Sequence, residues 1–173
     1  MTAPIRGLTL THPWAYCVAK CAKDVENRRW PPERQGGRVG MFLAIHGGVV
    51  PGKGSGKREE ARLDLAGALE IMERLGQPVP FTAEQRLALS MGLHVEGEER
   101  YFVPGIVAVA QLAAVTQAST SAWAARRQYH WLLADVLTLP EPIPHKGAQG
   151  LWSLEPEKLT KVRAAWKARK CQL

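Results

Sequence analysis

The chain has 173 residues, 46% apolar and 23% charged, a composition typical of one globular domain rather than of a disordered or fibrous protein. A net charge of +7 favours polyanionic partners, nucleic acid first, although good solubility alone would also account for it. No apolar run reaches the roughly 20 residues that span a bilayer, and the N-terminus lacks the residue order of a signal peptide, so we expect a cytoplasmic protein without a membrane partner.

The first part of the chain predicts short strands and one short helix. Alternating polar and apolar residues predict a strand over residues 5–11, and an apolar stripe predicts a helix over 14–22. An extended segment over 24–30 ends at two consecutive prolines. The continuous apolar run at 40–46 predicts a strand that is buried on both faces.

Residues 48–100 are interpreted as a mainly helical insertion into a β core. Leucines at helical spacing predict a helix over 59–75, and a Thr-x-x-Gln capping box begins a second helix over 82–91. The loop before them fits the pattern G-x-x-x-x-G-K, but Gly54 stands where a serine or threonine would hold magnesium. We therefore interpret this loop as flexible and basic rather than as a nucleotide-binding P-loop.

The rest of the chain predicts further strands and a final helix. Strands are expected over 104–115, 129–139 and 151–154, with three prolines ending the second, and a basic helix over 156–170. Strands mixed with helices in this order predict a single α+β domain over 1–173. Its core would be a small curved or partly closed β barrel with peripheral helices and a helical insertion.

The cysteines indicate neither a disulfide framework nor a metal site. There are three of them, Cys17, Cys21 and Cys171, and an odd number without framework spacing favours free thiols in a reducing compartment. Cys17 and Cys21 are four apart and share a helix face, but no second cysteine pair or close histidine pair completes a zinc set. We therefore expect no metal and no other cofactor.

The densest group of aromatic and ionisable side chains lies in residues 8–30. Aromatic rings there can stack on a base, and cations can contact phosphates or base edges, so we interpret the stretch as one wall of a cleft with residues 146–152 opposite. The candidate nucleic-acid-binding residues all have aromatic or ionisable side chains: His12, Trp14, Lys23, Glu26, Arg28, Trp30, His46, Lys146 and Trp152. Further cations are expected to form a basic rim that holds the backbone: Arg29, Arg34, Arg38, Lys53 and Lys57.

Structural roles compete with these functional ones. Trp131 and Trp166 sit on apolar faces, which favours the core, whereas for Trp14 the core and a stacking role are about equally supported. A single histidine at a strand end, such as His46, is more often a hydrogen-bonded rim residue than a ligand.

The spacing of Lys23 and Glu26 leaves two geometries open. Residues three apart point to opposite faces of an extended segment, although in a tight turn the two side chains could still meet. Arg28 shares the face of Glu26, and a structural ion pair between them is favoured over a catalytic role for Glu26. A partly desolvated Lys23 would have a lowered pKa and could act as a base.

Several segments of the chain carry one recurring pattern. Residues 8–15 read LTLTHPWA, residues 21–30 read CAKDVENRRW, and residues 43–48 read LAIHGG. Residues 140–154, PEPIPHKGAQGLWSL, add a glycine turn before a final strand with an aromatic residue. Together these segments resemble the ASCH domain, a branch of the PUA-like superfamily, and they leave residues 48–100 unmatched.

The resemblance implies a β-barrel core with a cleft in which members of the superfamily bind RNA or DNA, often at a modified base. A few small ASCH-like proteins are hydrolases of acetylated cytidine or ribonucleases, with the pattern G-x-K-x-x-T and a distant glutamate. Lys23 matches that lysine, whereas Cys21 replaces the glycine and Glu26 stands at the threonine. The E-x-R-x-W pattern at 26–30 instead resembles the domain of transcription coactivators, whose implied role is nucleic-acid binding.

Three functions follow as hypotheses. The first is a non-enzymatic module that binds RNA or single-stranded DNA. The second is a small hydrolase of a modified nucleoside, or a ribonuclease, with Lys23 and Glu26 as its catalytic residues. The third is a scaffold that binds an unspecified protein through residues 48–100.

Overall fold

A computed structural model describes residues 4–170 as an α+β fold, in which one sheet curls into a half-barrel. Its strands are β1 (Ile5–Leu10), β2 (Val25–Arg28), β3 (Phe42–Gly47), β4 (Gly105–Thr116), β5 (Tyr129–Ile143) and β6 (Leu151–Trp152). The α-helices are α1 (Trp14–Lys20), α2 (Gly56–Arg74), α3 (Ala83–Ser90) and α4 (Pro156–Lys170), with 3-10 turns at Pro32–Gln35 and Glu98–Tyr101. Among these residues, no helix is both long and apolar enough to span a membrane.

The sheet joins segments that are far apart in the chain. The strand order is β2-β5-β4-β3-β1-β6, with β1 and β3 parallel and the other neighbours antiparallel. Gly7 of β1 pairs with Trp152 of β6, and a Cβ at Gly7 would lie 2.3 Å from the indole ring of Trp152. Only glycine therefore lets the indole cover β1.

Strand β3 has the two-sided burial that its apolar sequence predicts. It lies between β1 and β4, and Leu43, Ala44 and Ile45 have no exposed surface. The predicted core positions of Trp131 and Trp166 are confirmed, since both are buried. Trp166 of α4 packs edge-on against Phe42 of β3.

The prediction that three prolines end β5 is wrong, because the strand continues through Pro140 and Pro142 to Ile143. Strand β2 pairs with Tyr129–Leu132, so the later part of β5 has no strand on that side. The prolines also fall where the register between β4 and β5 shifts, between Thr138 and Ile143. Proline lacks an N–H to donate, and an edge or an irregular stretch of sheet tolerates that loss.

The insertion forms helices α2 and α3, as predicted. The capping box is present, since Thr82 accepts from the backbone of Gln85 and the Gln85 side chain accepts from Thr82. The inner face of α2 buries Leu65, Leu69 and Met72. Leu75, which the helical spacing placed with them, is half exposed, because α2 ends at Arg74.

A buried ionic cluster lies within the insertion. Glu98 has no exposed surface, and its carboxylate accepts hydrogen bonds from Arg58 Nε at 3.1 Å and Arg62 Nε at 3.0 Å. The backbone N–H of Val95 donates to the same carboxylate at 3.1 Å. His94 and Glu99 stand close enough to Glu98 to suggest metal ligands, but the two guanidinium groups already neutralise this carboxylate.

Helix α1 packs against the insertion through its thiols. Cys17 and Cys21 are buried and free, and both belong to the core cluster that contains the inner face of α2. The hydrogen bond with the Cys21 thiol, and then burial, raise the pKa of the Cys17 thiol. The prediction of free thiols is thus confirmed for these two cysteines, while Cys171 lies outside the described residues.

Candidate functional site

A cavity of about 450 Å³ opens between the end of β1, the start of α1 and strand β2. Its size falls within the range of small-molecule sites in proteins. Thr9, Leu10 and Thr11 line it from β1, Trp14 from α1, and the segment 122–128 closes its other side. We call this space the Trp14 cavity.

A tight turn after α1 aims Lys23 into the Trp14 cavity. Ala22 has a left-handed backbone with φ of 53°, and the backbone N–H of Lys23 donates to the carbonyl of Cys17 at 3.1 Å. Lys23 therefore precedes β2 instead of belonging to an extended segment. Of the two geometries that the spacing left open, the tight turn is the one present: Lys23 Nζ donates to Glu26 Oε2 at 3.1 Å.

Lys23, Glu26 and Arg28 form an ionic trio in the wall of the Trp14 cavity. Lys23 is 2% exposed and also donates to the carbonyl of Val25. The predicted ion pair of Glu26 and Arg28 is present, with Arg28 Nε 3.0 Å from Glu26 Oε1. A second guanidinium nitrogen of Arg28 donates to the carbonyl of Thr9 at 3.1 Å. Two cations share one carboxylate, so the trio carries a net positive charge.

Trp14 is half-buried, which is compatible both with a place in the core and with stacking on a base. Its indole N–H donates to Asp64 Oδ2 at 3.2 Å, and Lys23 Nζ lies 5.8 Å from the ring centroid. Burial raises the pKa of Asp64, and the bond from Trp14 opposes this shift. The indole thus packs on two core clusters while it also lines the cavity.

The opposite wall of the Trp14 cavity is one that the sequence analysis missed. Asn27 fastens it to β2, since its Nδ2 donates to the carbonyl of Trp123 at 2.8 Å and its Oδ1 accepts from the N–H of Ala125 at 2.9 Å. Trp123 is buried in this wall. The available signal was a tryptophan among small residues directly before Arg126 and Arg127, which are both exposed.

Several candidate residues lie away from the Trp14 cavity. His12 is buried, its Nε2 donates to the carbonyl of Gly48 at 2.9 Å, and its ring meets Phe102 edge-on. Trp30 packs edge-on against Trp131, 4.9 Å between ring centroids. Burial, the largest effect, lowers the pKa of His12 and favours the neutral imidazole.

His46 and Trp152 belong to a separate hydrogen-bonded cluster. Residues 146–152 lie beside β1, as predicted, but this segment covers His46 instead of facing the Trp14 cavity. The Trp152 indole donates to Thr9 Oγ1 at 3.1 Å, and Thr9 Oγ1 lies 3.3 Å from His46 Nδ1. His46 Nε2 lies 2.9 Å from the carbonyl of His145, so a neutral imidazole protonated at Nε2 satisfies both contacts. Burial lowers the pKa of His46, in agreement with this form.

The predicted basic rim is exposed but is not part of the cavity lining. This holds for Lys146 and for all five rim residues: Arg29, Arg34, Arg38, Lys53 and Lys57. Arg126 and Arg127 are better placed, because they directly follow the lining residue Ala125. Arg127 has a left-handed backbone with φ of 60°, which turns the chain at the edge of the wall.

Comparison with known proteins does not identify a family for this chain. No protein-family model matches it, and no curated protein matches it.

Proposed function

We propose that this chain is an ASCH-like module of the PUA-like superfamily that binds RNA or single-stranded DNA and holds an unpaired base in the Trp14 cavity. The observation that carries the proposal is the convergence of Trp14, Lys23, Glu26 and Arg28 on one open cavity. All four come from the segments on which the resemblance depends. The curled sheet is compatible with the barrel that the resemblance implies.

The chemistry of the Trp14 cavity suits a nucleotide. An exposed indole face stacks on any base, which contributes roughly 1–3 kcal/mol. The ammonium of Lys23 has three hydrogens, and its bonds to Val25 and Glu26 leave one for an oxygen of a base or a phosphate. The carboxylate of Glu26 retains acceptor sites for an exocyclic amino group. Single strands expose these base edges, whereas a duplex pairs them.

The distribution of charge also supports a polyanionic ligand. Residues 48–100 hold nine acidic and seven basic residues, whereas the rest of the chain holds seven acidic and sixteen basic ones. The basic excess therefore lies outside the insertion, which has a slight acidic excess. A phosphate backbone would follow the rest of the chain rather than the insertion.

The test is a titration of fluorescently labelled single-stranded RNA and DNA at two salt concentrations. We expect binding that weakens as salt rises, because bound phosphates release counterions. Trp14→Ala should weaken binding about 10- to 100-fold, which corresponds to the roughly 1–3 kcal/mol of base stacking.

Trp14→Phe is the matched control for this titration. It also removes the bond to Asp64 but keeps an aromatic face, so most of the affinity should remain. Equal losses in the two variants would contradict stacking by Trp14. Failure of the wild-type protein to bind any strand at low salt would overturn the proposal.

A hydrolase acting on acetylated cytidine, or a ribonuclease, is the alternative. The observation that favours it is the buried Lys23 ammonium 3.1 Å from the Glu26 carboxylate in a wall of the Trp14 cavity. In this role the Lys23 ammonium would first pass a proton to Glu26 across their hydrogen bond; the neutral amine would then take a proton from the attacking water, and the Glu26 carboxylic acid would give its proton to the leaving group.

Incubation with acetylated cytidine and with RNA distinguishes the two functions. Under our proposal we expect no turnover of either substrate. Turnover that falls at least about 100-fold in Lys23→Ala would instead establish the enzyme, since general acid–base groups contribute that much. Turnover that is unchanged in this variant would indicate a contaminating activity.

A further inference from the structure

Gln128 lines the Trp14 cavity with a side-chain amide that the protein leaves unused. The residue ends the wall segment 122–128 and lies directly before β5. Within residues 4–170 no group hydrogen-bonds to this amide, yet neither amide atom is enclosed by protein, and the residue is half-buried. The hydrogen-bonding capacity of the amide is therefore accessible from outside the fold.

Most other polar side chains of the lining hydrogen-bond within the protein. Asn27 commits both of its amide atoms to the wall segment, and the Trp14 N–H donates to Asp64. The members of the ionic trio bond to one another; its two cations can only donate, and its carboxylate can only accept. Among the described lining residues, Gln128 is thus the one with an uncommitted donor beside a separate acceptor.

The backbone around Gln128 is fixed on both sides. Before it, the N–H of Ala125 donates to Asn27 Oδ1 at 2.9 Å, and the carbonyl of Ala125 lies 2.7 Å from His130 Nε2. After it, Tyr129 begins β5 and pairs with β2. A fixed backbone presents the amide before a ligand arrives, which lowers the entropic cost of binding.

A donor beside an acceptor is also the pattern on the Watson–Crick edge of every base. Adenine and cytosine have an amino group next to a ring nitrogen that accepts, whereas uracil, thymine and guanine have a carbonyl oxygen next to a ring N–H. A glutamine amide matches both patterns, because turning its end over exchanges the donor and the acceptor. Such an amide recognises an open edge rather than one particular base. A paired base has no open edge, and a methyl group on the ring nitrogen blocks it.

We propose that Gln128 forms two hydrogen bonds with the Watson–Crick edge of the base in the Trp14 cavity, so that the cavity accepts any base whose edge is unpaired and unmethylated. This inference rests on the proposed function and names the class of base that the site takes. Trp14 supplies the contact with the face of the base, and Gln128 supplies the selection for an open edge.

The experiment compares oligouridylate with an oligomer of N3-methyluridylate of the same length, each binding to the wild-type protein and to Gln128→Leu. Leucine is close to glutamine in size but forms no hydrogen bond. We expect this variant to bind oligouridylate about tenfold more weakly, as the loss of two ordinary hydrogen bonds predicts, and the methylated oligomer with unchanged affinity. Gln117→Leu makes the same change at an exposed position outside the cavity lining and should alter neither affinity.

The outcomes separate the inference from the proposed function. Unchanged affinities in Gln128→Leu, or equal losses for both oligomers, would overturn the role of Gln128 while base binding stands. Wild-type protein that binds only one of oligouridylate and oligoadenylate would also contradict it, since an open edge is common to all bases. If the wild-type protein binds no strand at all, both proposals fail.

The side-chain amide resonances of Gln128 in the wild-type protein give a second readout that needs no folded variant. They should shift more with oligouridylate than with the methylated oligomer, because only the former offers an edge that can pair with the amide. Equal shifts with the two oligomers would contradict the inference.

Discussion

Replacing Glu26 with glutamine is expected to lower the free energy of unfolding by about 3 kcal/mol. Glu26 is the carboxylate shared by Lys23 and Arg28, and Lys23 is almost completely buried. Removing one partner of a buried ion pair leaves the other charge uncompensated, at a cost of roughly 3–5 kcal/mol. We expect the lower end because the Arg28 side chain is 20% exposed and keeps some contact with water. Urea unfolding at neutral pH measures the change.

Two further measurements place the Glu26 result in context. Glu33→Gln removes the same charge from an exposed position and should change stability by less than about 0.5 kcal/mol. Glu26→Gln should bind single strands at least as tightly as the wild type, because the substitution removes a negative charge from the cavity. This binding is measured at a temperature at which the variant is folded. An unfolding midpoint equal to that of the wild type would contradict the buried-charge argument.

Replacing Glu98 with glutamine is expected to cost about 3–5 kcal/mol at neutral pH. Glu98 is fully buried and faces the guanidinium groups of Arg58 and Arg62, which have few other ways to be neutralised. Glu99→Gln is the matched control, since Glu99 contacts the same Arg58 at 3.3 Å from a half-exposed position. We expect that control to change stability by less than about 1 kcal/mol.

The effect of Glu98 should depend on pH. Burial raises the pKa of Glu98, but hydrogen bonds from the Val95 N–H, Arg62, His94 and Arg58 together lower it below the usual 4.5. The unfolded chain therefore takes up a proton first, and the stabilisation is complete above about pH 4.5 and lost as pH falls through the folded pKa. The difference in stability between the wild type and Glu98→Gln should shrink below pH 4.5. A difference that stays constant as pH falls would contradict the ionic role of Glu98.

Local sequence patterns predicted most of the elements of this fold. Alternation in β1, the continuous apolar run of β3 and the basic helix α4 each carry their signal within a few residues. The structure confirms α4 at residues 156–170, as predicted. Each of these elements is predicted by a hydrophobic pattern that lies within a single segment of the sequence.

The candidate site was harder to predict because its walls meet only in three dimensions. The sequence predicted no more than a short turn or helix around Trp123, and nothing near Asn27 indicates that its amide fastens that segment across 96 positions of the chain. The position of Lys23 depends on the left-handed backbone of Ala22. Glycine is the residue that usually adopts this conformation, so an alanine at this position did not indicate a turn. The end of β5 was predicted wrongly for a related reason. Whether a strand tolerates proline depends on its neighbour in the sheet, which the local sequence does not show.

The pairing of β1 with β6 has a consequence for how this protein is made. Gly7 is synthesised before its partner Trp152, which follows more than a hundred residues later. Until then one edge of β1 has unpaired backbone groups beside an apolar core, a surface that promotes association with other chains. The half-barrel is therefore completed only once β6 has been made, and a nascent chain that ends before β6 leaves this edge of β1 open to other chains.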